Sequence, residues 1–361
     1  MATGARHGYT TGACAAAAVK GAALLLQGQK RIDTVEIVLP AGERVTFALH
    51  NQSYDREQAR CFVVKDAGDD PDVTHGCEVW AQVQLCEGAD LVITGGIGIG
   101  RVTKPGLAVT VGAWAINPVP QMMITAALRD VFPTGGLQVE ISIPDGEERA
   151  TRTLNARLGI LGGLSILGTT GIVKPISHRA WTDTLEAALD VAGACGQKTV
   201  ILSTGRTSEM VVQGALAGTG IKPGEEAYIM MGDHVGYALR ACARRNFTTI
   251  ILAGQFAKLL KIACGHEQTH VSASQLDLHE VQSWLGAAGF SPATINLAGR
   301  ANTARHLLAD CTEVPALLEL ICNRARTFAQ TLAPQAEIQV FLAGYAGEVL
   351  YFHGTDHPNA G

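Results

Sequence analysis

The sequence predicts an α/β protein of two domains, an N-terminal α+β domain with a mostly antiparallel sheet and a C-terminal Rossmann-like domain with a parallel sheet. The chain has 361 residues, more than one hydrophobic core usually holds. Hydrophobic residues make up 47% of it but aromatic residues only 5%, which suits small-residue helices packed on strands. Strand signals follow one another in the first part of the chain and alternate with helix signals in the second.

The first domain is predicted to cover residues 1–150. An Ala-rich helix is expected to run to Leu26, capped by Thr10 or Thr11, and the free N–H groups of its first turn favour an anion. Short turns between neighbouring strands indicate antiparallel pairing. Alternating apolar residues predict strands at 35–38, 44–49, 60–64, 79–85, 91–94 and 137–143, with a helix at 121–131.

The second domain, residues 151–361, is expected to alternate strands and helices. Strands are predicted at 199–203, 226–231 and 248–252, each followed by a helix, and two more strands at 338–342 and 349–352 follow a helical region. Ligands of such parallel sheets bind beyond the carboxyl ends of the strands. The loops expected at that edge contain Thr169, Thr170 and Gly171; Ser203, Thr204 and Gly205; and Gly232 and Asp233.

Charge and composition narrow the possible partners. The net charge of −5 and pI near 6.1 predict no nucleic-acid partner, which would need a basic surface. No apolar run reaches the roughly 18 residues of a membrane span, and no signal peptide is seen, so a soluble cytoplasmic protein is expected. Nine cysteines without a C-x-x-C pair indicate reduced thiols. The oligomeric state is left open and allows a homo-oligomer.

The most unusual segment is the acidic loop, defined as residues 65–76, which lies between two predicted strands. It contains Asp66, Asp69, Asp70 and Asp72 as well as His75. Carboxylates this close repel one another and need water, cations or backbone N–H donors. The segment is therefore either a surface loop or a functional site.

Two further motifs are weaker. Residues 95–106 are glycine-rich but match neither a phosphate loop nor a dinucleotide fingerprint; they predict either a multi-turn connection or backbone close to a ligand, flanked by Arg101 and Lys104. His266, Glu267 and His270 match H-E-x-x-H, which binds zinc on a helix. Gly265 ends the preceding helix and no third ligand follows, so a polar loop without metal is expected.

Several segments together, in this order, resemble the CbiD family of cobalamin biosynthesis, the cobalt-precorrin-5B C(1)-methyltransferases. The sequence departs from the family pattern around Gln255 and around His270. The matching segments are residues 8–12 (G-Y-T-T-G), 65–76, 94–106, 115–117, 155–163, 166–173, 235–237 and 258–265.

The resemblance implies methyl transfer from S-adenosylmethionine to ring carbon C1 of cobalt-precorrin-5B, giving cobalt-precorrin-6A in the anaerobic pathway. The substrate of this reaction carries acetate and propionate groups. The protein is expected mainly to align the methyl donor with the ring, so no catalytic side chain is assigned. The expected substrate-binding residues, all in the first domain except Arg157 and Lys258, are Tyr9, Thr10, Thr11, Asp66, Asp70, His75, Arg101, Lys104, Arg157 and Lys258. The expected S-adenosylmethionine-binding residues, in the second domain, are Thr169, Thr170, Gly171, Ser203, Thr204, Gly205, Gly232 and Asp233.

An anionic substrate changes the interpretation of the acidic loop. Bare carboxylates would repel the ligand, so Asp side chains that cap backbone N–H groups are favoured, with Asp66 or Asp70 and His75 facing the pocket. Two other functions stay open. One is a nucleotide-dependent enzyme, a kinase or dehydrogenase, that uses residues 95–106; the other is a non-catalytic tetrapyrrole carrier.

Overall fold

A computed structural model of the chain describes residues 5–175, 178–217 and 223–353. The chain divides into two compact units, Met1–Ala180 and Trp181–Gly361. This division lies beyond the boundary expected near Thr151, because residues that follow Thr151 pair with strands of the first unit. Ile160–Leu161 pairs with Arg101–Val102, and Ile172–Val173 pairs with Gly8–Tyr9.

The first unit is built on a five-stranded sheet that is mostly antiparallel, as predicted. Its helices are α1 (Thr11–Gly28), α2 (Pro118–Arg129) and α3 (Gly146–Ala150). Its strands are β1 (Gly8–Tyr9), β2 (Thr34–Val38), β3 (Arg44–Ala48), β4 (His50–Tyr54), β5 (Gln58–Val64), β6 (Glu78–Cys86), β7 (Leu91–Gly95), β8 (Arg101–Val102), β9 (Gly136–Ser142), β10 (Ile160–Leu161) and β11 (Ile172–Val173). The strand order is β4-β5-β6-β9-β7, with only β7 and β9 parallel, and β2 and β3 form a separate hairpin.

Helix α1 lies at the centre of the first unit, where it packs against β5, β6 and α2. Its side chains are small enough for the helix to lie close to its neighbours on several sides. A Cβ added at Gly21 would lie 2.7 Å from Leu49, and one at Gly12 would lie 2.8 Å from Pro120. Thr10 caps the helix, since its hydroxyl accepts the N–H of Ala13 at 3.2 Å, so the predicted cap is confirmed.

The second unit contains a five-stranded sheet whose first four strands in spatial order are parallel. Its strands are β12 (Thr199–Ser203), β13 (Tyr228–Met230), β14 (Thr249–Gln255), β15 (Glu337–Ala343) and β16 (Val349–His353). The helices are α4 (His178–Ala194), α5 (Arg206–Leu216), α6 (Val235–Arg244), α7 (Phe256–Ala263), α8 (Leu278–Ala287), α9 (Pro292–Arg300), α10 (Ala304–Asp310) and α11 (Val314–Leu332). The spatial order is β13-β12-β14-β15-β16, and β16 runs antiparallel to β15.

One predicted position in this sheet is wrong. Thr169, Thr170 and Gly171 were expected at the carboxyl ends of the parallel strands. They instead precede β11, which pairs with β1 in the first unit. Residues 160–173, which the predicted boundary assigns to the second domain, lie in the first unit, where 160–161 and 172–173 form two-residue strands.

The cysteines are free thiols in the described part of the chain. Burial raises the pKa of Cys14 and of Cys242 to about 12, so both stay protonated at neutral pH. Among the described helices, none combines the length and the apolar character that a membrane crossing requires.

Candidate functional site

The acidic loop connects β5 and β6, and cations and backbone donors neutralise its carboxylates. Asp66 accepts hydrogen bonds from the guanidinium of Arg6 and from the N–H of Gly68, the latter at 2.9 Å. The Arg6 guanidinium lowers the pKa of Asp66 below its usual value. Asp69 accepts the backbone N–H of Arg6 at 2.7 Å. The capping role proposed for these Asp side chains is thus confirmed, and residues 6–9 lie across the loop.

A buried lysine, Lys65, starts the acidic loop. Its side chain is 1% exposed, and its Nζ lies 2.6 Å from Asp72 Oδ2. The other oxygen of Asp72 accepts the N–H of Thr74 at 2.7 Å and the hydroxyl of Thr74 at 2.6 Å. Burial opposes ionisation of Asp72, but the Lys65 ammonium and the Thr74 hydrogen bonds outweigh it, and the pKa of Asp72 is lowered. The sequence did contain a signal that Lys65 is buried. Side chains alternate along a strand, and Lys65 occupies the next inward position after Cys61 and Val63.

The far end of the acidic loop is also held by hydrogen bonds. His75 Nδ1 accepts the N–H of Ala67 at 3.1 Å, so neutral His75 carries its proton on Nε2. Arg149 donates to the carbonyls of Val73 at 2.6 Å and of His75 at 3.0 Å. Asp70 lies half-buried in the same loop. The loop is therefore a fixed surface whose His75 side chain is exposed.

The start of α1 is closed by its neighbours. The N–H of Gly12 donates to the carbonyl of Leu167 at 3.0 Å, and the hydroxyl oxygen of Thr10 accepts the N–H of Ala13. Thr11 Oγ1 accepts the N–H of Leu167 at 2.9 Å, and both threonines are buried. The first-turn N–H groups of Gly12 and Ala13 are thus used within the protein, and the expected opening for an anion is absent at these two groups.

Tyr9 links the acidic loop to the segment that contains Thr169, Thr170 and Gly171. Its N–H donates to the carbonyl of Asp66 at 2.7 Å. The N–H of the next residue, Thr10, donates to the carbonyl of Gly171 at 3.0 Å. A Cβ at Gly8 would lie 2.0 Å from the carbonyl carbon of Ala67, so only glycine fits here. The structure therefore brings together substrate-binding and cofactor-binding candidates that the sequence placed in different domains.

The glycine-rich residues 95–106 form a crossing of backbone segments. Gly98 has a φ of 71°, and a Cβ there would lie 1.9 Å from the carbonyl oxygen of Ile143. Cβ atoms added at Gly146 and Gly163 would lie 2.3 and 2.2 Å from the carbonyl oxygen of Gly98. These glycines permit close packing of three segments, which corresponds to the multi-turn connection rather than to a phosphate loop.

Three basic candidates, Arg101, Lys104 and Arg157, follow this crossing. Lys104 Nζ donates to the carbonyl of Arg157 at 3.3 Å. The N–H of Thr103 donates to the carbonyl of Gly159 at 2.7 Å, and β8 pairs with β10, so the segments that carry the three residues are held together. Arg101 is exposed, whereas Lys104 and Arg157 are half-buried.

In the second unit, the carboxyl ends of β12, β13 and β14 bring most of the remaining candidates together. Ser203 is fully buried, and its carbonyl accepts the N–H groups of Met231 at 2.9 Å and Gly232 at 3.3 Å. The N–H of Thr204 donates to the carbonyl of Ala253 at 2.9 Å. A Cβ added at Gly205 would meet nothing within 4 Å, so the space beside this residue is open.

Asp233 is the centre of a hydrogen-bond network at the same edge. It accepts from the Lys258 ammonium and, at 2.5 Å, from the hydroxyl of Thr269. Burial opposes ionisation, yet these donors lower the pKa of Asp233. Lys261 donates to the carbonyls of Thr269 and Ser274, both at 3.0 Å. Lys258, expected to bind substrate, thus holds Asp233.

The network continues to residues that the sequence analysis did not select. His234 Nδ1 lies 2.7 Å from Gln268 Nε2, and its ring stacks with Trp181 at a centroid distance of 6.2 Å. Trp181 Nε1 donates to the carbonyl of Met231 at 3.1 Å. No spacing motif joins these residues in the sequence, because α4, α6 and the loop after α7 bring them together only in the fold.

The H-E-x-x-H segment lies in a loop after α7, and Gly265 follows the helix with a φ of 82°. Both oxygens of Glu267 accept from the guanidinium of Arg240 at 2.5 Å. This pair lowers the pKa of Glu267. Among the described residues, no three His, Cys, Asp or Glu side chains are grouped so as to hold a metal ion.

Comparisons with known proteins agree across the chain. The family model of CbiD matches residues 1–175, and that of the CbiD C-terminal domain matches residues 268–354. A cobalt-precorrin-5B C(1)-methyltransferase of Geobacter sulfurreducens is 60% identical over 96% of this chain and 98% of its own. The Geobacter metallireducens protein of the same name is 59% identical with the same coverage. A crystal structure of the cobalamin biosynthesis protein (cbiD) of Archaeoglobus fulgidus is 29% identical, covers 73% of this chain and 81% of its own, and has a TM-score of 0.38.

Proposed function

Because the chain belongs to the CbiD family, we infer that it is a cobalt-precorrin-5B C(1)-methyltransferase, an enzyme of cobalamin biosynthesis. The observation that carries this conclusion is the identity of 60% over 96% of the chain with a relative of that name. Neither a nucleotide-dependent enzyme nor a non-catalytic carrier is favoured by these relatives. The free cysteines suit the cytoplasm that we propose as its compartment.

We propose S-adenosylmethionine as the methyl donor. When bound, it supplies a methyl group on a positively charged sulfur, which an electron-rich ring carbon can attack. The residues of the protein then have three tasks: to hold the donor, to hold the acidic macrocycle and to exclude water. None of these tasks requires a nucleophilic side chain, and no catalytic residue is assigned.

We place the donor at the carboxyl edge of the parallel sheet, beside Ser203, Thr204, Gly205, Gly232 and Asp233. In chain order, the strands of this sheet are arranged 2-1-3-4-5, so the strand order reverses between β12 and β14. Doubly wound sheets bind ligands at this reversal, and we propose that the second unit is Rossmann-like in this sense.

The residues present at this edge fit such a donor. Helix α7 begins directly after β14, and helix α5 follows β12 after Thr204 and Gly205; among the described residues, no side chain caps either helix. Their first-turn N–H groups suit the carboxylate of an amino-acid ligand. Thr204 adds a half-buried hydroxyl, and the open space beside Gly205 admits a ligand close to the backbone.

For the substrate, we propose contacts from the first unit. Arg101, Lys104 and Arg157 supply positive charge on neighbouring segments, and His75 supplies an Nε2–H donor next to Asp66 and Asp70. These groups suit the acetates and propionates of the macrocycle. The hydrogen bonds of Tyr9, Thr10 and Thr11 lie within the protein. These residues therefore stabilise the substrate-binding surface from its buried side.

Hydrogen exchange tests the position of the donor. S-adenosylhomocysteine is expected to slow amide exchange in residues 203–206, 232–234 and 254–256 of the intact chain. Protection confined to residues 9–12 and 165–173 would place the donor in the first unit instead and refute the proposed site. Mass spectrometry after anaerobic incubation with cobalt-precorrin-5B and S-adenosylmethionine tests the reaction, with one added methyl group expected.

A further inference from the structure

A small sheet in the first unit has one buried face and one exposed face. Strand β8 pairs with β10, so that Arg101 lies opposite Leu161, and an isolated bridge joins Arg101 to Trp114 on its other side. The buried face carries Val102 and Ile160, which pack in a separate apolar cluster. Directly opposite residues of antiparallel strands point to the same side. Trp114, Arg101 and Leu161 therefore form a row on the outer face.

The guanidinium in this row is held in a fixed position. Arg101 Cζ lies 3.7 Å from the centroid of the Trp114 ring, and Nη1 donates to the carbonyl of Gly112 at 2.7 Å. Trp114 itself packs on Gly95, where a Cβ would lie 2.7 Å from the indole. The indole thus holds one face of the guanidinium, and the Gly112 carbonyl holds one of its N–H groups.

In the described part of the chain, Arg101 lacks a carboxylate partner, although the whole protein has a net charge of −5. Within residues 5–175, 178–217 and 223–353, it forms no ion pair, and its other N–H groups have no acceptor. Leu161 next to it is 51% exposed and adds apolar surface beside the guanidinium. An exposed, oriented cation beside exposed apolar surface matches a flat, apolar ligand that carries carboxylates at its periphery.

We propose that the Trp114–Arg101–Leu161 row binds one edge of the corrinoid substrate. The guanidinium of Arg101 donates hydrogen bonds to a peripheral carboxylate, and Trp114 and Leu161 contact the apolar ring edge. This assignment rests on the proposed function and adds Trp114 and Leu161 to its binding surface. Arginine suits the centre of the row better than lysine, because a planar guanidinium can stack on an indole and still offer paired N–H groups to a carboxylate. A lysine ammonium offers neither property.

Binding of two matched probes to the intact protein tests the row. One probe is a cobalt corrin with free peripheral carboxylates; the other is the same corrin with these groups converted to methyl esters. Arg101→Gln is expected to weaken binding of the acid about tenfold, since it removes a hydrogen-bonded charge pair, and to leave binding of the ester unchanged. Leu161→Ser is expected to weaken binding of both probes.

The first unit offers a matched control. Arg60 lies over the ring of Trp80 at 5.5 Å on the five-stranded sheet, so Arg60→Gln removes a similar pair elsewhere. This variant is expected to bind both probes as the wild type does. Arg101→Lys keeps the charge and the aliphatic stem, and its affinity for the acid is expected to lie between those of the wild type and Arg101→Gln.

Turnover separates this proposal from the proposed function. With cobalt-precorrin-5B, Arg101→Gln is expected to raise KM about tenfold and to keep kcat within about twofold. If Arg101→Gln folds, methylates and keeps the wild-type KM and acid affinity, or if Arg60→Gln loses as much affinity, the row is not the binding site. If the wild type binds the acid through Arg101 but does not methylate cobalt-precorrin-5B, the row stands and the proposed function fails.

Discussion

At the scale of the residue, Lys65 determines how the acidic loop is built. A lysine that is 1% exposed needs a compensating charge, and Asp72 supplies it at 2.6 Å. The four carboxylates in the sequence correctly predicted that the loop needs cations or backbone donors. Lys65 and Arg6 could not be identified as those cations from the sequence, because lysine is usually an exposed residue and because the pairing of Arg6 with Asp66 depends on the fold.

Asp72→Asn is predicted to destabilise the protein. The substitution leaves the Lys65 ammonium buried without its counter-charge, which typically costs about 3 kcal/mol of unfolding free energy. Urea unfolding at pH 7 measures the loss. Asp33→Asn, at an exposed aspartate, is the control and is expected to change stability by less than about 0.5 kcal/mol. Equal effects of the two substitutions would show that the buried pair has no special role.

The lowered pKa values of Asp66 and Asp72 predict a pH dependence of stability. Carboxylates with a folded-state pKa below the unfolded value of about 3.9 stabilise the fold above that pH. This stability is lost as the pH falls through the folded-state pKa values. We expect the unfolding free energy to fall below about pH 4, and the gap between wild type and Asp72→Asn to narrow there. A gap that stays constant from pH 7 to pH 2 would contradict this account.

At the scale of the element, glycines control where backbone segments cross. Gly98 and Gly112 both have positive φ, 71° and 86°, but only a Cβ at Gly98 collides with backbone. Gly112→Ala is predicted to cost about 1 kcal/mol through φ strain alone. Gly98→Ala is predicted to cost more than about 3 kcal/mol or to prevent folding, because it forces three segments apart. Thermal unfolding of the two variants compares them; similar melting temperatures would mean that residues 95–106 are not a packed crossing.

The loops at the carboxyl edge of the parallel sheet form a second element-scale unit. Lys258→Met removes a donor of Asp233 and is predicted to speed amide exchange in residues 232–234 and 266–274 about tenfold, through loss of a charged hydrogen bond. Lys198→Met, at an exposed lysine, is the control. Unchanged exchange in Lys258→Met would show that Lys258 does not hold these loops, and would return it to the list of substrate contacts.

At the scale of the whole molecule, the chain order of helices and strands was largely predictable, because period-two and helical patterns are local. The strand at residues 199–203 was predicted at its exact bounds in β12. Strand β4 was missed, since His50–Tyr54 is polar and largely exposed. The position of Thr169, Thr170 and Gly171 was also missed, because only pairing with Gly8–Tyr9 assigns them to the first unit. Contacts distant in sequence, such as Asp233 with Thr269, leave no local pattern.

The function follows from the whole chain, since the family models and the relatives cover both units. Its central claim is the transfer of a methyl group to C1 of cobalt-precorrin-5B. The most direct measurement is anaerobic turnover with S-adenosylmethionine labelled with ¹³C in its methyl group, followed by NMR of the product. The account predicts a single labelled methyl group on ring carbon C1 and one S-adenosylhomocysteine formed for each. A label at another carbon, or an unmethylated corrinoid recovered from folded enzyme, would contradict it.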